Sequence, residues 1–123
     1  METQRSPEEV VRKFFDCYTQ GRPEDFDEVV APDYLDFGHD PTGRGPQGAR
    51  DDYEQAVKHA GAVIPYTIDG LVVDGDMVAA DWTGTLPSGD QVRGMSLYRC
   101  SGGLLRSTRH VVYESATSSK GGS

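Results

Sequence analysis

Between residues 64 and 113 the sequence carries four runs in which β-branched and aromatic residues alternate with polar ones: 64–73, 77–86, 91–100 and 104–113. Their connections, "DGD", "PSGD" and "SGG", are short and contain glycine, so successive runs are expected to pair as antiparallel hairpins. Such a meander has a face to bury, and the residues able to cover it lie upstream. "SPEEVVRKFFDCYTQG" places Ser6, Pro7 and Glu9 at capping-box spacing, repeats Val10, Val11, Phe14, Phe15 and Tyr18 at helical intervals, and ends at Gly21. A second, short helix is predicted in "PEDFDEVV", stopped before Pro32. A third is predicted from Pro46 to Gly61, with Ala49, Tyr53, Ala56, Val57 and Ala60 facing inward. Between these two, an extended piece at 34–37 leads into a turn-rich loop carrying His39 and Asp40. Helices first and strands afterwards predict an α+β domain in which helices cover one face of a curved sheet and enclose a cone. A small ligand would sit in that cone.

The 123 residues suit one core. The expected domain is 1–114, followed by a disordered tail, 115–123, that has no apolar periodicity. No apolar run approaches the roughly eighteen residues of a spanning helix. "METQRSPEEV" lacks the basic start and apolar stretch of a signal peptide, so no membrane association and a cytoplasmic location are expected. Twenty acidic against twelve basic side chains give a net charge of −8, which opposes phosphate backbones. Arg93, Arg99, Arg106 and Arg109 are spread along strands rather than clustered, and nucleic acid is not expected as a partner. Cys17 and Cys100 lie in apolar segments without the spacing of a zinc or redox site and read as reduced packing residues.

Several residues carry chemistry whose role depends on which way they face. In "YLDF", Asp36 shares a face with Tyr34, and its plainest role is a solvated carboxylate at a strand end. In "LLRSTRHVV", alternation puts Leu104, Arg106, Thr108, His110 and Val112 on one face, and neither face is plainly apolar, so periodicity leaves the direction of His110 open. Trp82 shares a face with Val78, Ala80 and Gly84, and the corresponding face of the next strand carries Gly94, Ser96 and Tyr98. Core packing is the ordinary role of a lone tryptophan. Beside a cavity, Ala80 and Gly84 would leave room for a flat ligand to stack, and Ser96 would offer a weak hydroxyl donor. Tyr18, one turn beyond Phe14, either caps the apolar stripe or offers a phenol. His39 and Asp40 either shape a turn or form the cavity's rim. The histidines at 39, 59 and 110 show no ligand spacing, so no metal is expected, and His59 suits the C-terminal dipole of the third helix. No phosphate loop, dinucleotide fingerprint or nucleophile elbow is present.

The order of elements, carried by "VVRKFFDCYTQGRPEDFDEVVAPDYLDF", "GRGPQGARDDY", "DMVAADWTGT" and "GMSLYRCSGGLLRSTRHVVYE", resembles the nuclear transport factor 2-like superfamily, which includes ketosteroid isomerases and SnoaL-like polyketide cyclases. The resemblance covers nearly the whole chain to Glu114. It implies a cone-shaped α+β barrel and a homodimer formed through the open face of the sheet, where the outward arginines would lie. Asp36 looks like the isomerases' carboxylate base, and the His110 face is turned inward. His110 stands where the cyclases keep an acidic acid/base residue, a departure from their pattern. Phe14 and Ser96 stand where the isomerases keep an oxyanion tyrosine and a protonated aspartate, so the steroid isomerases' oxyanion hole is missing.

The resemblance implies a cofactor-independent enzyme acting on a small apolar or aromatic carbonyl compound, such as a polyketide-type intermediate. Apolar walls would raise the pKa of Asp36 toward neutrality, letting it remove a proton next to a carbonyl while His110 stabilises the oxygen. Phe14, Tyr18, His39, Trp82, Ser96, Tyr98 and Thr108 would contact the substrate. Ring closure by intramolecular aldol addition and isomerisation are both open outcomes. The alternative is a non-catalytic module of the same fold that binds a small molecule or a partner. Third comes epoxide opening by an Asp-Arg-Asp arrangement, for which Arg109 should point the wrong way.

Overall fold

The computed structural model describes residues 4–38 and 42–116. Helix α1, Pro7–Thr19, starts on the predicted capping box: the Glu9 amide donates to Ser6 Oγ at 3.2 Å, and the Ser6 amide donates to the Glu9 carboxylate at 2.7 Å. A cap of this kind stabilises the helix by about 1 kcal/mol. Its apolar stripe buries Val10, Val11, Phe14, Phe15 and Cys17. A 3-10 turn at Pro23–Asp25 leads into α2, a single turn at Phe26–Val29.

The predicted second helix is thus shortened by strand β1, Val30–Asp36, which begins four residues before the expected extended piece. Pro32, expected to lie outside any element, falls within this strand. Pairing of β1 with its parallel neighbour shifts register between Val30 and Leu35, so the missing proline N–H interrupts no regular ladder. The loop beyond contains a strand the sequence did not disclose, β2, Gly43–Arg44, which pairs antiparallel with Leu35 and Asp36. Helix α3, Gly45–Ala60, stops at Gly61, whose φ of 81° is the left-handed conformation that glycine adopts freely.

The meander consists of β3, Tyr66–Asp74, β4, Met77–Thr85, β5, Gln91–Ser101, and β6, Leu104–Ala116. The sheet is open, with strand order β2-β1-β6-β5-β4-β3, and β1 runs parallel to β6 while the other pairs are antiparallel. Strand β6 continues into the stretch expected as a tail because Gln91 and Val92 pair with Ala116 and Ser115. The rest of that expected tail, 117–123, lies outside the described residues, as do His39 and Asp40.

Alternation along β6 breaks at two places, and the first decides the site. Cys100 pairs with Leu105 but Arg99 pairs with Ser107, so β6 holds one extra residue there. Leu105 is fully buried, Arg106 turns to the surface and donates to Asp33 at 2.8 Å, and Thr108 returns to the interior. Leu104 and Arg106 therefore do not share the inward face of Thr108 and His110, contrary to strict alternation.

The core lies between the helices and this inner face, where Phe26, Val29, Val30, Tyr34, Val78 and Leu105 are almost inaccessible. Each large apolar side chain buried in this way contributes about 1.5–3 kcal/mol. Cys17 and Cys100 are free and buried, and burial pushes each thiol up to about 11, as expected of packing residues.

Candidate active site

Helices α1 and α3 and the inner face of the sheet enclose a cavity of about 170 Å³. Its walls are chiefly aromatic. Phe14 meets Tyr18 and Tyr98 edge-on at 5.3 and 5.9 Å, and Tyr66 meets Trp82 at 5.5 Å with planes 82° apart. Such edge-to-face pairs add about 0.5–1.5 kcal/mol each beyond area burial.

Trp82 has the orientation that the pattern of β4 and β5 predicts, opposite Gly94. Its Nε1 donates to Ser96 Oγ at 2.9 Å. A Cβ on Gly94 would fall 2.3 Å from the indole Cζ2, so the ring lies flat where only glycine leaves space. The slot expected beside Gly84 is not open. A Cβ there would sit 2.8 Å from the Tyr66 ring, which fills the space meant for a stacked ligand. Ser96, expected as a donor to ligand, is buried and accepts from Trp82.

Asp36 ends β1 on the cavity side and is 4 % exposed. Tyr34, two residues earlier, is buried on the same face, while Phe37 turns outward beneath the Arg109 guanidinium, 4.2 Å from its ring centroid. The Gly38 amide donates to Asp36 Oδ1 at 2.9 Å. Parallel pairing sets Asp36 beside Thr108, and His110 follows on the same face two positions on, roughly 7 Å along the strand. The imidazole packs over Gly38, where a Cβ would lie 2.2 Å from its Cε1. Gly38 thus touches both proposed reacting groups, one through its amide and one through its open α-carbon. His110 and Val112 line the cavity and are also exposed, which puts them at its mouth.

The phenols form the rest of the polar lining. Tyr34 donates to Thr108 Oγ1 at 2.9 Å, and Tyr18 donates to the Asp52 carboxylate. Burial, reinforced by the charge of Asp52, holds the Tyr18 proton well above the usual range. Burial also raises Tyr34 and Tyr98, with the Asp36 charge adding to both, and pushes Tyr66 up to about 12. All four remain hydrogen-bond donors at neutral pH.

The structure brings Asp36, His110, Phe14, Tyr18, Trp82, Ser96, Tyr98 and Thr108 to one cavity. His39, the remaining expected contact, lies outside the described residues. Asp52 was not anticipated, although a signal for it exists. It falls three residues after Ala49 and four before Ala56, an acidic side chain inside the apolar stripe of α3. Among the described residues no lysine or arginine lines the cavity, so its two carboxylates lack the arginine that the epoxide-opening arrangement requires. Nor does any group of three His, Cys, Asp or Glu among them suit a metal ion.

The family model of the SnoaL-like domain matches residues 11–108. The chain belongs to the SnoaL-like family. The matched stretch contains Asp36, Asp52 and Thr108 and stops two residues short of His110. No curated protein matches this SnoaL-like chain by sequence. Among solved structures it is similar to a protein of unknown function with a cystatin-like fold from Methylobium petroleophilum, at 21 % identity and TM-score 0.76, covering 96 % of this chain and 84 % of that one. It is also similar to a candidate polyketide cyclase from Acidithiobacillus ferrooxidans, at 23 % identity and TM-score 0.74, covering 91 % of each chain. A candidate ketosteroid isomerase from Kribbella flavida matches at 21 % identity and TM-score 0.70, covering 88 % of this chain and 78 % of that one. These likenesses establish the expected cone-shaped α+β fold of the nuclear transport factor 2-like superfamily. Among the described residues no helix is long and apolar enough to cross a membrane.

Proposed function

We propose that this SnoaL-like protein is a cofactor-independent acid/base enzyme for a small, largely apolar carbonyl compound. Asp36 takes a proton from the carbon next to the carbonyl, the electron pair of that C–H bond forms a C=C bond, and the π pair of the carbonyl moves onto its oxygen. His110 donates a hydrogen bond to this oxygen as its charge grows. The enolate carbon then either attacks a second carbonyl in the same molecule, closing a ring as the new alkoxide takes up a proton, or recovers a proton from Asp36 at another carbon. The observation that carries the proposal is a buried carboxylate in an aromatic cavity with an imidazole on the adjacent strand.

Hydrogen–deuterium exchange of 2-tetralone in D2O, followed by NMR, tests it without knowledge of the natural substrate. The native protein should accelerate exchange at the carbons beside the carbonyl, and Asp36→Asn should return the rate to that of buffer. Equal rates for the two proteins would overturn the proposal. A second reading, a ligand-binding module, is favoured by the engagement of the Tyr18 hydroxyl with Asp52, which ties up a donor a reaction could use. Binding of the ketone without exchange would select it. The proposal includes a homodimer through the outer face of the sheet, where Met95, Leu97 and Val111 are exposed, and sedimentation would read a monomer if that part is wrong.

A further inference from the structure

The cavity's size, walls and charge together restrict what it can take. A volume near 170 Å³ is only slightly larger than the roughly 150 Å³ of an apolar protein cavity known to hold benzene. One ring fits inside, a second reaches the mouth, and any larger skeleton would have to extend out through that mouth. Rings from α1, β3 and β4, namely Phe14, Tyr18, Tyr66 and Trp82, line the space, and aromatic faces attract cations where water is excluded. The cavity's carboxylates, Asp36 and Asp52, come from β1 and α3, which pack against each other, while no lysine or arginine lines it among the described residues. Deep in the cavity a ligand carboxylate or phosphate would meet charge of its own sign at short range, and His110, the lining group that donates to the carbonyl oxygen in the proposed reaction, lies out at the mouth. Asp52 accepts the Tyr18 hydroxyl at Oδ2, and a carboxylate has further lone pairs to offer. Ala56, one turn along α3, is small and also borders the space, so a ligand can approach Asp52 past it.

We infer that the cavity selects a one- or two-ring ligand carrying a protonated nitrogen, with Asp52 as the residue that recognises the charge. This rests on the proposal that the cavity is the substrate site and narrows the substrate to an amine-bearing carbonyl compound, with Asp52 a specificity residue rather than a reacting one.

Trp82 is the chain's single tryptophan and lines the cavity, so its fluorescence reports occupancy. Three probes on one bicyclic frame separate the contributions: 1,2,3,4-tetrahydroisoquinoline, cationic at pH 7; isochroman, its neutral counterpart of the same size; and 1,2,3,4-tetrahydronaphthalene-2-carboxylate, an anion larger by its carboxylate. The amine is expected to bind at least tenfold more tightly than either of the others at 0.1 M salt. Asp52→Asn keeps an acceptor for Tyr18 and removes the charge, so it should weaken the amine tenfold or more and leave isochroman unchanged. Equal affinities on the native protein, or preference for the anion, would overturn the inference whether or not the variant folds. Amine affinity unchanged in a folded Asp52→Asn protein would also overturn it. Exchange of 2-tetralone lost in Asp36→Asn without any amine preference would sink this inference and leave the enzyme. Amine preference without accelerated exchange would sink the enzyme and leave an amine-binding site.

Discussion

At the floor of the cavity, Tyr34 donates to Thr108, and Trp82, edge-on to Tyr66, donates to Ser96. Toward the mouth, β1 holds Asp36 buried beside Thr108 and β6 brings up His110, with Gly38 between them and the imidazole ring exposed. Both ends use the same inner face of the sheet, yet the polar groups differ in what they serve. Those on the floor satisfy one another, and their hydrogen bonds fix ring orientation. Those at the mouth border space that a ligand can enter. Substitution should therefore cost stability at the floor and turnover at the mouth.

The sharpest contrast is expected from Asp36→Asn at the mouth. General acid/base groups contribute on the order of 10²–10⁴ in rate, so loss of about a thousandfold in 2-tetralone exchange should accompany little change in melting temperature. At the floor, Gly94→Ala drives a methyl group into the Trp82 ring and should destabilise the fold by about 2–3 kcal/mol in chemical denaturation. The phenols offer a third test. Tyr18, Tyr34, Tyr66 and Tyr98 keep their protons in the folded state above the usual range of about 10, whereas the unfolded chain releases them there. Their contribution is intact below pH 10 and is lost as pH rises, at about 1.4 kcal/mol per pH unit for each phenol. For Tyr66 the loss ends near pH 12. Denaturation curves between pH 9 and 11 that fail to weaken would contradict this. Gly38→Ala should have the smallest effect on stability, because position 38 is exposed and the group it displaces is the end of a side chain. Its expected signature is a shifted His110 imidazole resonance and about a tenfold loss of exchange, the latter corresponding to about 1.4 kcal/mol in the barrier. A floor residue would not give that combination.

Features that depend on a few neighbouring residues were legible in the sequence. The Ser6–Glu9 box, Gly61 at the end of α3 and the glycine-bearing hairpins are each specified within several residues, and each stands where the pattern put it. Features set by distant pairing were not. Strand β1 starts early and tolerates Pro32 because a partner about seventy residues away accommodates an irregular ladder, which local propensity does not encode. The extra residue in β6 near Arg106 reverses the facing of the residues after it as far as Val112, where a second register shift follows, so alternation could not tell that Leu105 and Thr108 both point inward. Asp36 reads locally as a solvated strand end and is buried only because α3 and β2 close over it. Asp52 escaped notice for the opposite reason, since an acid on a helix is ordinarily assigned to solvent and only its place between Ala49 and Ala56 argues otherwise.

The central claim is that Asp36 and His110 act on one bound molecule. A crystal structure with 2-naphthol, the aromatic counterpart of the 2-tetralone enol, tests it most directly. The hydroxyl should lie within hydrogen-bond distance of His110, with the adjacent ring carbon facing the Asp36 carboxylate. Naphthol bound outside the cavity, or inside it with neither group in contact, would contradict the account.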